Sequence, residues 1–211
     1  MVIGLLLFAS GLSCDRSEKP VAVEENYSMT ELLQRGWLAF SGQEYDNALT
    51  YFEKAFEKDS AQVEASIGRG WTLLMLDQGE ITASERLFLK GVQNATWKSD
   101  ARCGLVVIRF LQEQYSEIEN LVDLIIADRP DYFFKYKPTI DWHDLLLIKA
   151  QAYFHDDDYQ KAWDAIQEIT SVFRLDPNNH HTWIVDNVTY FSFEAALAKV
   201  IEILSELYRV F

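Results

Sequence analysis

RGWLAF at 35–40 is followed by RGWTLL at 69–74, so one Arg-Gly-Trp triplet recurs 34 residues further along the chain. A third glycine, Gly104 in CGLVVI, comes after a second interval of 34 residues. A constant interval of this length is typical of repeated supersecondary units, each of which buries its apolar face against the next. The triplets therefore predict an array of repeats.

The residues around these glycines have a helical period. Ser28 and Glu31 have the spacing of a capping box that opens a helix, and Gly42 interrupts that helix. In the segment 44–59 the apolar residues fall at i, i+3, i+4 and i+7, which predicts a second amphipathic helix. Only 9 glycines and 4 prolines occur in the chain, and strictly alternating β-branched runs are scarce. We therefore expect an all-α fold.

A 34-residue period in a helix-turn-helix context resembles the tetratricopeptide repeat. The first unit matches the family pattern at Gly36, Tyr45, Ala48, Phe52 and Ala55, and a fourth matches at Ala150, Tyr153, Tyr159, Ala162 and Ile166. The two units between them keep Gly70 and Gly104 and match less well elsewhere. The resemblance implies an α-solenoid of about four repeats (about 28–60, 61–94, 95–128 and 141–179), with an inserted loop at 129–140 and a C-terminal capping segment and helix at 180–211.

The resemblance also implies which side chains face the concave groove of the solenoid. They follow the small residue of each unit by one, four or five positions, and the candidates for partner binding are Trp37, Phe40, Trp71, Leu74, Ile108 and Arg109. The alternative is internal packing, since a tryptophan at helical spacing is usually part of a core. Some members of the family clamp a terminal carboxylate with basic residues, but Leu33, Ile67 and Ala101 occupy the equivalent positions.

Two further segments leave alternatives open. The inserted loop carries, between two prolines, the aromatic residues Tyr132, Phe133, Phe134 and Tyr136. If these side chains are exposed, they mark an interaction site; if they are buried, the loop folds back over an edge of the solenoid. Beyond it, a C-terminal helix has an apolar stripe from Phe193 to Phe211. That stripe predicts a terminal cap packed on the last repeat, or an interface with a second copy of the chain.

The first fourteen residues differ from the rest of the chain. Val2 to Leu12 is apolar and uncharged, with the length of a signal-peptide core, and small residues then precede Cys14. This ending resembles the processing site of bacterial lipoproteins, which implies that Cys14 is lipidated and that 15–27 is a flexible tether. The alternatives are an ordinary secretory signal cleaved nearby and a buried apolar N-terminus. We expect a lipid-anchored protein of the bacterial cell envelope facing the periplasm or exterior, or else a secreted one.

Composition and motifs narrow the class of function. The formal net charge is −14 and no run of Lys or Arg occurs, which argues against nucleic acid as a partner. None of the four histidines stands in a metal-binding spacing, and no GxSxG, P-loop or GxGxxG motif is present, so we expect no catalytic residue, no metal and no cofactor. Asp156, Asp157 and Asp158 fill a turn and cap the next helix. Cys103, inside an apolar run, is predicted to be a small buried hydrophobe.

These observations predict a non-catalytic scaffold, anchored to a membrane, that docks a protein or peptide in its groove. The sequence leaves two alternative functions open. One is an enzyme accessory or ligand-binding protein with a polar site near His180, His181 and Asp186. The other is a structural subunit that forms homo-oligomers through the C-terminal helix.

Overall fold

The computed structural model describes residues 27–76 and 80–208, and this part of the chain is all-helical apart from one short hairpin. Cys14, most of the proposed tether and Phe211 lie outside the described residues. Nine α-helices occur in the described part: α1 Met29–Ser41, α2 Tyr45–Lys58, α3 Val63–Leu76, α4 Ile81–Gly91, α5 Lys98–Leu111, α6 Ile118–Asp128, α7 Trp142–His155, α8 Tyr159–Ile169 and α9 Phe193–Tyr208. The hairpin pairs β1 Ile184–Val185 with β2 Val188–Thr189.

The helix starts follow from local capping. At α1 the Ser28 hydroxyl accepts from the Glu31 amide and the Glu31 carboxylate accepts from the Ser28 amide, which confirms the predicted capping box. Asp158 accepts from the Lys161 amide at the start of α8, so the predicted role of the aspartate turn is also confirmed. A second capping box, between Asp141 and Asp144, opens α7 directly after the inserted loop.

Each of the first eight helices packs against the next one in the chain. The odd-numbered helices also contact one another in succession: α1 contacts α3, α3 contacts α5, α5 contacts α7 and α7 contacts α9. The short connections, such as 42–44 between α1 and α2 and 156–158 between α7 and α8, make these neighbours antiparallel. One continuous core results, and Cys103 lies inside it with no exposed surface, as predicted.

The glycines of the 34-residue period are contact points between helices. A Cβ added at Gly36 would lie 2.7 Å from the Phe52 ring, and one added at Gly70 would lie 3.1 Å from the Phe88 ring. Gly104 meets the other side of the Phe88 ring so closely that a Cβ would overlap it. The predicted close-packing role of these glycines is therefore confirmed, because each leaves room for an aromatic side chain of the paired or preceding helix.

Residues 129–140, between α6 and α7, form a loop that we call the strap. The Phe134 amide donates to the Ile140 carbonyl at 2.8 Å, and the Trp142 amide donates to the Tyr132 carbonyl at 2.9 Å. An isolated antiparallel bridge joins Phe133 to Asp141. These bonds satisfy the backbone of an irregular segment whose side chains enter the core.

The C-terminal helix α9 packs on α7 and α8. Phe193, Leu197, Val200 and Leu204 of the predicted stripe are buried there, whereas Leu207 is exposed. These four buried residues belong to the core of the chain itself, which is the packing that a terminal cap requires. Within 27–76 and 80–208, none of the helices combines the length and the apolar character that crossing a bilayer requires.

Candidate functional site

The predicted groove residues come together, but the strap lies on top of them. Trp37, Phe40, Trp71, Leu74 and Ile108 are all buried, and Trp71 and Ile108 have no exposed surface at all. The strap residues Tyr132 and Phe134 are equally buried. Of the two alternatives for this loop, it therefore folds back over the helices and is not an exposed aromatic surface.

The contact between strap and helices is a ladder of aromatic rings. The Tyr136 ring stacks on Trp37 with centroids 3.8 Å apart and an interplanar angle of 1°. The Phe134 ring stacks on Trp71 at 4.7 Å and meets the edge of Phe40 at 6.0 Å. Because these rings fill the space between α1 and α3, a partner peptide has no open channel along the tryptophans in this conformation.

Arg109 has a different environment from the other groove candidates. Its guanidinium forms ion pairs with Glu85 and Glu117, each with a nitrogen-to-oxygen distance of 2.6 Å. Only 12% of its side chain is exposed. The two carboxylates therefore occupy the donors that a partner would need.

A buried polar cluster anchors the strap to α5. The Tyr132 hydroxyl donates to the Asp100 carboxylate at 3.1 Å, and the Arg129 guanidinium lies 3.5 Å from the same carboxylate. Burial raises the pKa of Asp100 to about 6, against the opposing effect of Arg129 and Tyr132. Burial likewise raises the pKa of Cys103, so the thiol beside this cluster stays protonated and unreactive.

The ladder reaches the surface at one side, where a shallow cleft of about 340 Å³ opens. Its lining combines α1, α3 and the strap: Gln34, Trp37, Leu38, Ser41, Glu64, Lys135 and Tyr136. We call it the rim cleft. Within it, the Trp37 indole N–H donates to Glu64 at 2.9 Å, and the Ser41 hydroxyl donates to the Tyr136 carbonyl at 3.0 Å. These two bonds hold the Trp37 and Tyr136 rings in place.

Leu38 gives the rim cleft an apolar wall, because 76% of its surface is exposed on α1. Lys135 is also exposed, and its ammonium lies 5.1 Å from the Tyr136 ring centroid. The cleft therefore offers aromatic and aliphatic surface beside polar and charged groups.

A second cleft, of about 260 Å³, lies between α6, α7 and α8 and is polar. Its two lysines are already paired, Lys149 with Asp123 at 2.5 Å and Lys161 with Glu119 at 3.5 Å. The Tyr153 ring lies under both ammonium groups. Both ammonium groups of this cleft are therefore already paired with carboxylates of the chain.

The histidines at the C-terminal end do not assemble a site with acids around them. His180 and His181 form a short exposed 3-10 turn with their rings 3.9 Å apart, and Asp186 lies in the exposed hairpin turn. Across the described ranges, no group of three or more His, Cys, Asp or Glu side chains could hold a metal ion.

Sequence reasoning missed one contributor to this region, Trp97, which precedes α5 and stacks near-parallel to Trp37 at 5.7 Å. It named the strap aromatics, but it did not predict which rings they would stack on. One sequence signal bears on these stacking contacts: Phe134 and Tyr136 are two residues apart, and alternate residues of an extended segment face the same way.

No model of a known protein family matches this chain, and no curated protein matches it. A functional conclusion must therefore come from the geometry of the chain itself. Of the regions described above, the rim cleft alone combines exposed apolar surface with ordered polar groups.

Proposed function

We propose that this protein is a non-catalytic docking protein of the bacterial cell envelope. In this proposal the helices form an α-solenoid of about four tetratricopeptide-like repeats, and a protein or peptide partner binds at the rim cleft. The strap occupies the concave side, so the partner contacts the ladder at its exposed edge and not along its length.

The observation that carries the proposal is the exposure of Leu38 directly beside the ordered rings of Trp37 and Tyr136. Interfaces depend on a few anchor contacts, in which large apolar or aromatic side chains are surrounded by polar groups that exclude water. Gln34, Ser41 and Glu64 would form such a polar surround here. An apolar side chain of the partner, placed against Leu38 and Tyr136, would complete the arrangement.

Site-specific photocrosslinking in cells that make the protein tests this proposal. A photoreactive residue at position 38 is compared with one at position 89, because Leu89 is also an exposed leucine, 49% accessible, on α4 and away from the cleft. We expect a discrete crosslinked species from position 38 that position 89 does not give, and we expect Lys135→Glu to reduce its yield. Equal crosslinking from both positions would contradict docking at the rim cleft.

The envelope location rests on Cys14 and the apolar segment before it, which lie outside the described residues. If Cys14 carries the lipid, Cys14→Ser leaves the protein without an anchor. We expect the variant to move from the membrane fraction to the soluble fraction, and wild type to incorporate a labelled fatty acid. Membrane retention of Cys14→Ser without its label would show that lipidation is not the anchor.

A further inference from the structure

The exposed apolar side chains of this chain are concentrated toward its C-terminal end. In the described residues, eleven large apolar residues are exposed, and five of them lie between positions 172 and 208. Three belong to the hairpin and the residues after it: Ile184 is 52% exposed, Val188 53% and Phe191 fully exposed. Val188 pairs with the buried Val185, so it lies on the opposite side of the hairpin from Ile184. We call Ile184 and Phe191 the hairpin face.

The hairpin face is held by specific bonds and packing. Val185 is buried and β1 packs against α9, while Ile184 pairs with Thr189 on the outer side. Pairing continues past the hairpin, because the Tyr190 amide donates to the Trp183 carbonyl at 2.8 Å. The Trp183 indole N–H in turn donates to the Asp176 carbonyl at 2.9 Å. Phe191 is thus presented to solvent by an ordered backbone, although its ring contributes nothing to the core.

Negative charge is also concentrated toward the C-terminal end of the chain. Residues 156–208 contain ten Asp and Glu side chains and three Lys and Arg side chains, so this quarter of the chain carries −7 of the total −14. Asp186 lies in the hairpin turn and Glu194 in the first turn of α9. Two of these three cations belong to the hairpin region: Arg174 precedes the hairpin in sequence, and Lys199 of α9 lies near Tyr190 and pairs with Glu202 at 2.7 Å.

From these two distributions we infer that the hairpin face is a second docking surface, and that its partner is a basic polypeptide segment that carries apolar side chains. Exposed apolar residues in a region of net negative charge favour a partner with complementary shape and opposite charge. A second copy of this chain would bring −7 against −7, and an anionic bilayer surface would be repelled for the same reason. This surface is separate from the rim cleft and does not depend on it.

Binding of defined peptides to the purified protein tests the inference. The probe is a short fluorescent peptide that alternates lysine with leucine, and its two controls replace lysine by glutamate or leucine by serine. We expect the lysine–leucine peptide to bind with at least about tenfold higher affinity than either control, and to weaken between about 50 and 300 mM salt. Ile184→Ser/Phe191→Ser should lower that affinity by about tenfold, to the level of the lysine–serine peptide.

Leu89→Ser, which changes an exposed leucine of α4, should bind the lysine–leucine peptide like wild type. The inference is overturned if the double variant retains wild-type affinity, because the peptide would then respond to net charge alone. It is also overturned if the glutamate–leucine peptide binds equally well. A wild-type mass of two chains in solution that becomes one chain in the double variant would assign the face to self-association instead.

Discussion

At the scale of single residues, glycine and phenylalanine form the contacts that join neighbouring helices. Phe52 fits between Gly36 and Gly68, and Phe88 fits between Gly70 and Gly104. The 34-residue interval predicted three of these four glycines. Gly68 escaped prediction because it lies outside the period, two residues before Gly70, and only the packed position of Phe52 explains it.

Replacement of Gly104 by alanine tests this arrangement. The new Cβ would overlap the Phe88 ring, so we expect Gly104→Ala to lower the free energy of unfolding by about 1–3 kcal/mol. Gly42→Ala is the matched control, since φ there is −80° and the nearest atom to an added Cβ is 3.4 Å away. Urea denaturation of both variants measures the difference. An equal effect at both positions would mean that the contact is not tight.

Asp100 gives a prediction about pH. Its pKa rises from 3.8 in the unfolded chain to about 6 in the folded protein because of burial, so the folded state holds the proton more tightly. The carboxyl therefore costs nothing below about pH 3, where both states are protonated. Its unfavourable contribution grows as pH rises to about 6 and is constant above that.

We therefore expect the stability of Asp100→Asn relative to wild type to improve by about 2 kcal/mol between pH 4 and pH 7.5. Chemical denaturation across this pH range provides the measurement. Asp131→Asn, which changes an exposed acid of the strap, should show no such trend relative to wild type. Burial raises the pKa of Asp144 to about 6 as well, so a similar slope remains in both proteins and cancels in the comparison.

At the scale of elements, the sequence predicted the position of the strap in the chain but not the contacts of its side chains. The break in the 34-residue spacing predicted a loop at 129–140, and the structure has a non-helical segment there between α6 and α7. The positions of the strap side chains depend on residues far away in the chain, since Phe134 stacks on Trp71 and Tyr136 on Trp37. Local patterns do not encode contacts across such separations, so the sequence favoured a loop folded back over the helices without specifying which rings it would contact.

Two adjacent phenylalanines of the strap test its role in the fold. Phe134 has no exposed surface, whereas Phe133 is 46% exposed. We expect Phe134→Ala to lower the free energy of unfolding by about 3–5 kcal/mol, because it removes the ring stacked on Trp71 and leaves a cavity. Phe133→Ala should change it by less than about 1 kcal/mol. Thermal and urea unfolding of the pair measure this contrast, and similar losses would show that the strap does not depend on its buried ring.

At the scale of the whole molecule, the strap connects helices that are distant in the array. It contacts α1 through Tyr136 and Ser41, α3 through Phe134 and Trp71, and α5 through Tyr132 and Asp100. Its end is bonded to the start of α7, where the Trp142 amide donates to the Tyr132 carbonyl. Helical arrays in general couple only neighbouring units, so their ends unfold independently when the interfaces between units are weak. A segment that joins four odd-numbered helices should make this array unfold as one unit.

Native-state hydrogen exchange tests that expectation. In wild type we expect the slowest amides of α1, α3, α5 and α7 to exchange through one common opening, with the same free energy and the same denaturant dependence. In Phe134→Ala/Tyr136→Ala the coupling through the ladder is removed, so α1 and α2 should open at a lower free energy than α7 and α8, which keep α9 as a cap. Phe133→Ala should preserve the common opening. Uniform loss of protection in the double variant would instead mean that the interfaces between successive helices are sufficient to couple the array.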